Sequence, residues 1–385
     1  MKIAAHHQTL ARHLEAFRQT LHQHPELSHQ EFETTARLRK ALEEHDIRIL
    51  ALPLKTGLVA EVGGMQDGPL IALRSDIDAL PIHEEVDVAW KSRNSGVMHA
   101  CGHDFHASAA LGAAILLKSI EPELKGRVRI LFQPAEEVAQ GALDVLETGA
   151  LEGVQAIFGI HNDPSLPVGV LGTKAGALTA GVDRFAIKIA AKGAHAARPQ
   201  EGNDPIIILG QLISIVQGIV SRRVAPDESA VVSITHVESG STWNVIPDTA
   251  MLEGTVRTFS SATRTLIEAE LRRILDGLAQ TYNAKITLDW QPGPPSVDNN
   301  AEWAEVALTI GEQEGFEARR IAASPIGEDF ALYQQTIPGV FVMIGSGGPY
   351  ALHHPAFRVD DRALFPTAHY LKTLALSALE RLTSV

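Results

Sequence analysis

Residues 70–78 of the chain read LIALRSDID, a short apolar run that ends in the carboxylates Asp76 and Asp78. Residues 70–73 do not alternate with polar ones, which is typical of a strand buried on both faces in a parallel sheet. In open α/β sheets, ligands bind at the edge formed by the carboxyl ends of the strands. The stretch therefore predicts a parallel sheet with Asp76 and Asp78 at its ligand-binding edge.

The same pattern recurs three times, each time as an apolar run followed by acids or histidines. The runs are residues 128–132 before Glu136 and Glu137, residues 154–160 before His161, and residues 340–344 before a glycine-rich turn with His353 and His354. Between the runs, residue patterns predict helices over 8–22, 31–45, 107–120 and 367–382. We expect βα units whose strands bring these polar segments to one cleft.

The middle of the chain has a different pattern, with strands predicted at residues 185–190, 230–236, 250–259 and 284–290 and helices at 204–221 and 262–282. This β-α-β-β-α-β order is typical of a ferredoxin-like unit with an antiparallel sheet. We predict an α/β protein with a largely parallel sheet in a catalytic domain formed by residues 1–177 and 294–385. A ferredoxin-like α+β domain, residues 178–293, is inserted in it.

Composition excludes several classes of protein. The chain has 385 residues, 45% of them hydrophobic, and a net charge of −13 without a basic patch, which argues against a nucleic-acid partner. A single cysteine cannot form an internal disulfide, and the first residues lack the apolar core of a signal peptide. No stretch reaches the roughly 18 apolar residues of a membrane span. These features predict a cytoplasmic protein without a membrane partner.

The only cysteine lies in residues 98–106, MHACGHDFH. Gly102 permits a sharp turn, so that Cys101 and His103 can point at one ion. With carboxylate and imidazole groups from the other strand ends, the candidate ligands are Cys101, His103, Glu137, His161 and one of His353 or His354. Five such groups suit two ions, and the mixture of sulfur, nitrogen and oxygen favours Zn²⁺, Mn²⁺, Co²⁺ or Ni²⁺. A water that bridges two such ions becomes a hydroxide nucleophile near neutral pH.

The adjacent carboxylates Glu136 and Glu137 point in different directions, so that only one of them binds a given ion. We assign Glu137 as the ligand and Glu136 as the general base and acid. Asp78 is expected to orient a ligand histidine or the bridging group, whereas Asp76 can alternatively cap the turn after its strand.

In the inserted domain, three residues are candidates for substrate binding. His195 lies in KGAHAARP and is suited to stabilise an oxyanion. Asn244 and Arg257 lie in WNVIPDTAMLEGTVRT and are suited to bind a substrate carboxylate, for which a guanidinium fork is well shaped.

Nine segments in this order resemble the metallo-aminoacylase and carboxypeptidase clan, and within it the hippurate hydrolase and indole-acetyl-amino-acid hydrolase type of peptidase family M20, subfamily D. They are HQHPELSHQEFET, LRSDIDALPI, MHACGHDFHA, LFQPAEEVAQGA, GIHNDPSLPVG, KGAHAARP, WNVIPDTAMLEGTVRT, GEDFALY and LHHPAFRVDD. The resemblance covers nearly the whole chain. It implies a binuclear metal hydrolase that cleaves the amide of N-acyl amino acids to a carboxylic acid and a free amino acid.

The resemblance also implies roles for individual residues. Cys101, His103, Glu137, His161 and His353 would be the ligands, with His353 preferred because the family ligand lies two residues before the proline, here Pro355. Glu136 would be the base. The inserted domain would act as a lid and form a homodimer, in which the residue matching His195 commonly enters the partner's active site. Two departures, Ala194 for a glycine and Gln200 for a histidine, affect the geometry of the lid loop.

Three other functions compete with this hypothesis. A dipeptidase or carboxypeptidase would use the same metals on a peptide amide. A catalytically silent binding or assembly protein would keep the fold, although the ligand set has no gap. A cysteine hydrolase would use Cys101 with a histidine, but it leaves Glu137 and His161 without a role.

Overall fold

The computed structural model describes residues 5–384 and divides into two compact units. The first unit comprises Met1–Gly176, Asp298–Ala322 and Asp329–Val385. The second comprises Ala177–Val297 and Ala323–Glu328. The short return segment Ala323–Glu328 thus groups with the second unit, whereas our sequence analysis placed it in the catalytic domain.

The strands of the first unit are β1 (Arg48–Ile49), β2 (Leu58–Gly63), β3 (Leu70–Asp76), β4 (Arg127–Gln133), β5 (Val154–Asp163), β6 (Val170–Thr173), and, after the second unit, β14 (Asp298–Asn299), β15 (Glu317–Arg320) and β16 (Gly339–Gly345). Strand β7 (Gly176–Ala177) lies at the boundary between the units. Those of the second unit are β8 (Gly181–Ala190), β9 (Ala194–His195), β10 (Ala230–Ser239), β11 (Val245–Ile246), β12 (Thr249–Thr258) and β13 (Lys285–Pro292).

The helices of the first unit are α1 (Ala5–Gln23), α2 (Phe32–Glu43), α3 (His103–Lys118), α4 (Gly141–Glu147), α7 (Ala301–Gln313), α8 (Phe330–Tyr333) and α9 (Leu364–Thr383). Helices α5 (Pro205–Arg223) and α6 (Ser261–Tyr282) belong to the second unit.

The main sheet of the first unit has the strand order β1-β2-β4-β3-β5-β16-β6-β15. Its four central neighbours β4, β3, β5 and β16 run parallel to one another, and these are the four strands that the apolar runs predicted. β2 pairs with β4 and β6 with β16 in antiparallel fashion. The predicted largely parallel α/β sheet is confirmed, and the carboxyl ends of its central strands share one edge.

Helix α3 is buried along nearly its whole length, which its alanine-rich sequence allows. A side chain at Gly112 would meet Leu14 of α1 and Ala368 of α9, so the glycine permits three helices to pack closely. The prediction that this helix starts at Ala107 was wrong. It begins at His103, because a left-handed Gly102 (φ 86°) ends the preceding loop.

The second unit has an antiparallel sheet in the order β10-β12-β8-β13, covered by α5 and α6. On β8, the buried residues Phe185, Ile187 and Ile189 alternate with more exposed ones, so that one face of the sheet carries the core. The order of its longer elements, β8-α5-β10-β12-α6-β13, is the predicted β-α-β-β-α-β order.

Helix α5 is long and apolar enough to cross a membrane by length and composition alone, which our sequence analysis had not anticipated. A core helix of a globular unit passes the same test. Ile208, Leu212 and Val216 of α5 are fully buried in the core that it forms with the sheet, whereas only 33% of its apolar window is buried in all. One face of this helix thus belongs to the core of the second unit.

Candidate metal centre

Cys101 and His103 flank the left-handed Gly102 at the start of α3. The Asn162 side chain donates a hydrogen bond of 2.5 Å to the Cys101 carbonyl, and a Cβ on residue 102 would collide with that amide. Glycine is therefore required here both for its conformation and for its lack of a side chain. The turn directs the thiol and the imidazole to the same side, at the carboxyl end of the sheet.

The structure brings all five predicted ligands together with Glu136. Three overlapping groups each have ligand-type atoms within 4.8 Å of one another: Cys101, His103 and His161; Cys101, Glu137 and His353; and His103, Glu136 and Glu137. His161 lies within β5 itself and not beyond its end as expected. His354 belongs to none of these groups and stacks on Tyr350 instead.

Hydrogen bonds orient two of the imidazoles toward the cluster. Nδ1 of His103 lies 3.1 Å from Oδ1 of Asp78, and Nδ1 of His161 lies 2.7 Å from the Asn162 carbonyl. Since both partners are acceptors, each Nδ1 donates the hydrogen bond, and Nε2 is the nitrogen left to face an ion. Nε2 of His161 lies 3.4 Å from the sulfur of Cys101.

Asp78 links several segments of the site. Its Oδ2 accepts hydrogen bonds from the hydroxyl of Ser28 at 2.7 Å and from the backbone N–H of Glu137 at 3.0 Å. The carboxylate is fully buried. Its position beside His103 is that expected from the sequence for a residue that orients a ligand.

Two buried atoms in the cluster have no hydrogen-bond partner among residues 5–384: Nε2 of His103 and Oε1 of Glu137. They lie 3.8 Å apart. Buried polar atoms are nearly always satisfied, so two orphans facing one another need an explanation. A thiol, imidazoles and carboxylates are suitable donors for borderline divalent cations, and these residues fit such ions.

Two of the ligand candidates have raised pKa values. Burial, together with the negative charge of Glu137, raises the pKa of the Cys101 thiol well above its usual value. Burial also raises the pKa of Glu137, to about 7, in spite of the neighbouring His103. A thiol with a raised pKa is a poor nucleophile, which argues against a cysteine hydrolase.

Glu136 lies in a single 3₁₀ turn, Glu136–Val138, between two left-handed alanines. Ala135 has φ 52° and Ala139 has φ 55°. The fully buried Glu31 accepts the backbone N–H of Ala135 at 2.9 Å. The carboxylate of Glu136 itself faces the ligand cluster, within 4.8 Å of the ligand atoms of His103 and Glu137.

The family model of peptidase family M20/M25/M40 matches residues 72–377. The chain belongs to peptidase family M20. The resemblance deduced from the nine segments is thereby confirmed.

This M20 chain is similar to several known proteins over nearly its full length. It is 50% identical over 364 residues to an N-acetylcysteine deacetylase of Bacillus subtilis, covering 94% of this chain and 96% of the relative. It is 37% identical over 357 residues to the IAA-amino acid hydrolase ILR1-like 2 of Arabidopsis thaliana, covering 90% and 81%. The crystal structure of Bacillus subtilis YxeP, a dinuclear metal-binding peptidase from the M20 family, matches with a TM-score of 0.88 and 48% identity, covering 97% and 99%.

The M20 chain carries the other three predicted site residues in its second unit. His195 is exposed on β9 and pairs with Val245 of β11, and the Asn244 carbonyl accepts the N–H of Ala196 at 3.1 Å. His195 and Asn244 are therefore neighbours at the two-stranded antiparallel sheet formed by β9 and β11. Arg257 is half-buried on β12, a different element, and burial lowers its pKa. Their roles toward a substrate stay predictions.

Sequence reasoning missed a buried network beneath the cluster of this M20 protein. Arg74 and Asp329 are fully buried and bonded to each other at 2.6 Å. Asp76 belongs to the same network, bonded to Arg74 at 2.7 Å, and does not serve as a turn cap. Arg74 and Asp76 lie in LRSDIDALPI and Asp329 lies in GEDFALY, two of the segments that resemble the family. No rule of residue spacing predicts a contact between positions so far apart in the sequence.

Proposed function

We propose that this M20 protein hydrolyses the amide bond of N-acyl amino acids to a carboxylic acid and a free amino acid. The observation that carries the proposal is the pair of buried atoms without a hydrogen bond in a cluster of sulfur, nitrogen and oxygen donors, beside the carboxylate of Glu136. The names of the relatives support the substrate class, since they act on N-acetylcysteine and on IAA-amino acids.

We further propose that two divalent ions are held by Cys101, His103, Glu137, His161 and His353. The donor set suits Zn²⁺, Mn²⁺, Co²⁺ or Ni²⁺, and YxeP, with 48% identity, is a dinuclear metal-binding protein. When bound, such ions polarise an acyl carbonyl and lower the pKa of water toward neutrality.

Side chains of the protein then transfer the protons of the reaction and hold the ligand histidines in the required tautomer. Glu136 takes a proton from the attacking water and returns it to the departing amine, so that one carboxylate serves first as base and then as acid. Asp78 holds the tautomer of His103 in which Nε2 is free to bind an ion. Asn162 does the same for His161 through its backbone carbonyl.

For the second unit, we propose a lid and dimerisation role. His195 would stabilise the oxyanion, in its own or the partner's site, and Asn244 and Arg257 would bind the substrate carboxylate. The dimer would form through the exposed edge strand β10. We expect the enzyme in the cytoplasm, and fractionation of cells tests this location.

The experiment is a hydrolysis screen with added metals across N-acetyl, N-benzoyl and indole-acetyl amino acids, with dipeptides included. We expect hydrolysis of the N-acyl amino acids and its loss on chelation. Glu136→Gln should lower kcat by about 10²–10⁴-fold with both ions retained, whereas Glu152→Gln, an exposed control, should not. Unchanged turnover in Glu136→Gln would exclude the mechanism. A preference for dipeptides would favour the peptidase alternative.

A further inference from the structure

The segment Pro134–Ala142, here called the Glu136 loop, carries both Glu136 and Glu137. Its backbone is left-handed at Ala135 and again at Ala139. Alanine rarely adopts this conformation, which persists only where the surroundings determine it. The loop must therefore be held in place by contacts from outside.

Three buried carboxylates from three distant segments accept backbone N–H groups of the Glu136 loop. They are Glu31 with Ala135 at 2.9 Å, Asp78 with Glu137 at 3.0 Å, and Asp329 with Ala142 at 3.0 Å. Together they fix the beginning, the middle and the end of the loop.

Asp329 differs from the other two because it contacts both the loop backbone and the Glu136 side chain. Its backbone N–H donates to Oε1 of Glu136 at 3.4 Å, and its carboxylate accepts from the loop at Ala142. The amide of Gln133 donates to both carboxylate oxygens, at 2.9 and 2.8 Å. Asp329 is thus bonded both to Glu136 itself, through its backbone, and to the end of the Glu136 loop, through its carboxylate.

Arg74 holds the carboxylate of Asp329 in place. Its guanidinium donates from three nitrogens to three buried acceptors: from Nη2 to Asp329 at 2.6 Å, from Nη1 to Asp76 at 2.7 Å, and from Nε to Gln133 at 2.8 Å. The Arg74 side chain is inaccessible to solvent. It balances the charge of two carboxylates that would otherwise repel one another at depth.

The other branch of the network leads to the ligand histidines. Oδ1 of Asp76 accepts from Nδ1 of His106 at 2.5 Å, and Nε2 of His106 accepts the backbone N–H of Asn162 at 2.8 Å. Asn162 in turn follows His161 and orients it. Arg74 therefore bonds the first residue of two series of hydrogen bonds. One series leads through Asp329 to Glu136, and the other leads through Asp76 and His106 to Asn162, next to His161.

We propose that Arg74, acting through Asp329, is a positioning residue that sets the Glu136 carboxylate against the ligand cluster. The inference rests on the proposed role of Glu136. It also gives a reason for an arginine at position 74, because its planar guanidinium donates along three fixed directions and a lysine cannot. Arg74 touches no reacting atom.

The first test measures hydrogen–deuterium exchange in the metal-free protein, which needs no substrate. In Arg74→Met, peptides covering the Glu136 loop should exchange at least about tenfold faster than in the wild type, with a smaller effect in Arg74→Lys. The matched control is Arg129→Met, which breaks another ion pair of the same sheet, with Glu61 at 2.9 Å. It should leave exchange in the loop unchanged. Exchange in Arg74→Met equal to that in the wild type would overturn the proposal.

The second test separates positioning from a merely structural role. In folded, metal-loaded Arg74→Met or Asp329→Asn, kcat on an N-acetyl amino acid should fall about 10²-fold with KM within about threefold. The matching O-acetyl 2-hydroxy acid still needs Glu136 as the base, but its leaving group depends less on protonation, so it should lose less activity than the amide. A kcat on the amide within threefold of the wild type, or a loss that appears in KM and not in kcat, would overturn the inference.

The two tests keep the two proposals apart. A wild-type protein without amide hydrolysis would contradict the proposed function, while the exchange experiment would still decide the role of Arg74 in holding the loop. If Arg74→Met fails to fold, two other variants replace it. Asp329→Asn, which keeps the shape of the side chain, carries the same expectations, and Arg74→Lys, which keeps the charge, carries them in smaller degree.

Discussion

Among individual residues, Cys101 and Glu137 are both buried, and their ionised forms would repel each other. The pKa of each group is therefore higher than in water. Both groups bind cations only as anions, so ion binding must release protons. We expect metal affinity to rise with pH from about 6 to 8, because the pKa of Glu137 is about 7 in the metal-free protein.

Calorimetric titration in buffers of different ionisation enthalpy would measure this release. Near pH 7 we expect at least about one proton per protein on loading both ions. Cys101→Ser, which removes the thiol proton but keeps the size of the side chain, should bind more weakly and release fewer protons. A heat of binding that is independent of the buffer would contradict this prediction.

His22 gives a second prediction for a single residue. Its ring bonds Asp104 at 2.9 Å and Glu84 at 3.1 Å. Burial is the largest single influence and lowers its pKa, but the charge of Asp104 and the hydrogen bonds to Asp104 and Glu84 together outweigh burial and raise the pKa to about 9. A raised folded-state pKa stabilises the protein fully below the unfolded value of about 6.5, and this contribution is lost as the pH rises through 9.

The corresponding experiment compares the thermal midpoints of metal-free wild type and His22→Gln. The difference should correspond to about 3 kcal/mol at pH 6 and shrink by pH 9.5. A difference that is constant over this pH range would show that His22 is not charged in the folded state.

At the level of secondary-structure elements, the start of α3 depends on Gly102. Gly102→Ala should destabilise the protein by about 2 kcal/mol or more, because the left-handed backbone costs about 1–2 kcal/mol and the methyl collides with Asn162. Metal binding should weaken with it, since Cys101 and His103 flank the turn. Denaturant unfolding and metal titration measure the two effects.

Gly96 supplies the matched control for this substitution. It has φ 80°, but nothing lies within 4 Å of its added Cβ. Gly96→Ala therefore isolates the backbone cost, about 1 kcal/mol, and should leave metal binding unchanged. Equal effects of the two substitutions would mean that the contact with Asn162 contributes nothing.

At the level of the whole molecule, the proposed dimer makes β10 the element to test. It lies at the edge of its sheet, and its Val231 and Val237 are 45% and 48% exposed. Edge strands with exposed apolar side chains readily pair with another chain, and lysine prevents it. Val231→Lys combined with Val237→Lys should yield monomers in sedimentation velocity, whereas Met65→Lys, on the first unit, should not. A wild-type monomer at micromolar concentration would refute the dimer.

Much of this architecture was accessible from the sequence. The apolar runs identified all four parallel central strands, because a strand buried on both faces needs an unbroken apolar stretch. Strand ends also predicted the convergence of the five ligand candidates with Glu136, a convergence that the structure contains. By contrast, the start of α3 depended on the conformation of Gly102, and a short helix-like pattern cannot locate such a turn.

The network of Arg74, Asp76 and Asp329 was beyond the reach of sequence patterns. Its members come from β3 and from the residue before α8, and their contacts depend on how the sheet and the loops pack. Spacing rules describe neighbours along one helix or strand, and a bond between residues 74 and 329 follows none of them.

The strand order has a consequence for how the chain reaches its native state. Strand β16 lies between β5 and β6, and its Gly339 pairs with Ile157, 182 residues earlier. The first unit thus lacks a central strand until β16 has been synthesised, long after β5, whereas the sheet of the second unit comes from one continuous stretch. Contacts so distant along the chain form slowly. The nascent protein therefore exposes the apolar flanks of β5 and β6 for a long interval, during which chaperones and aggregation compete for them.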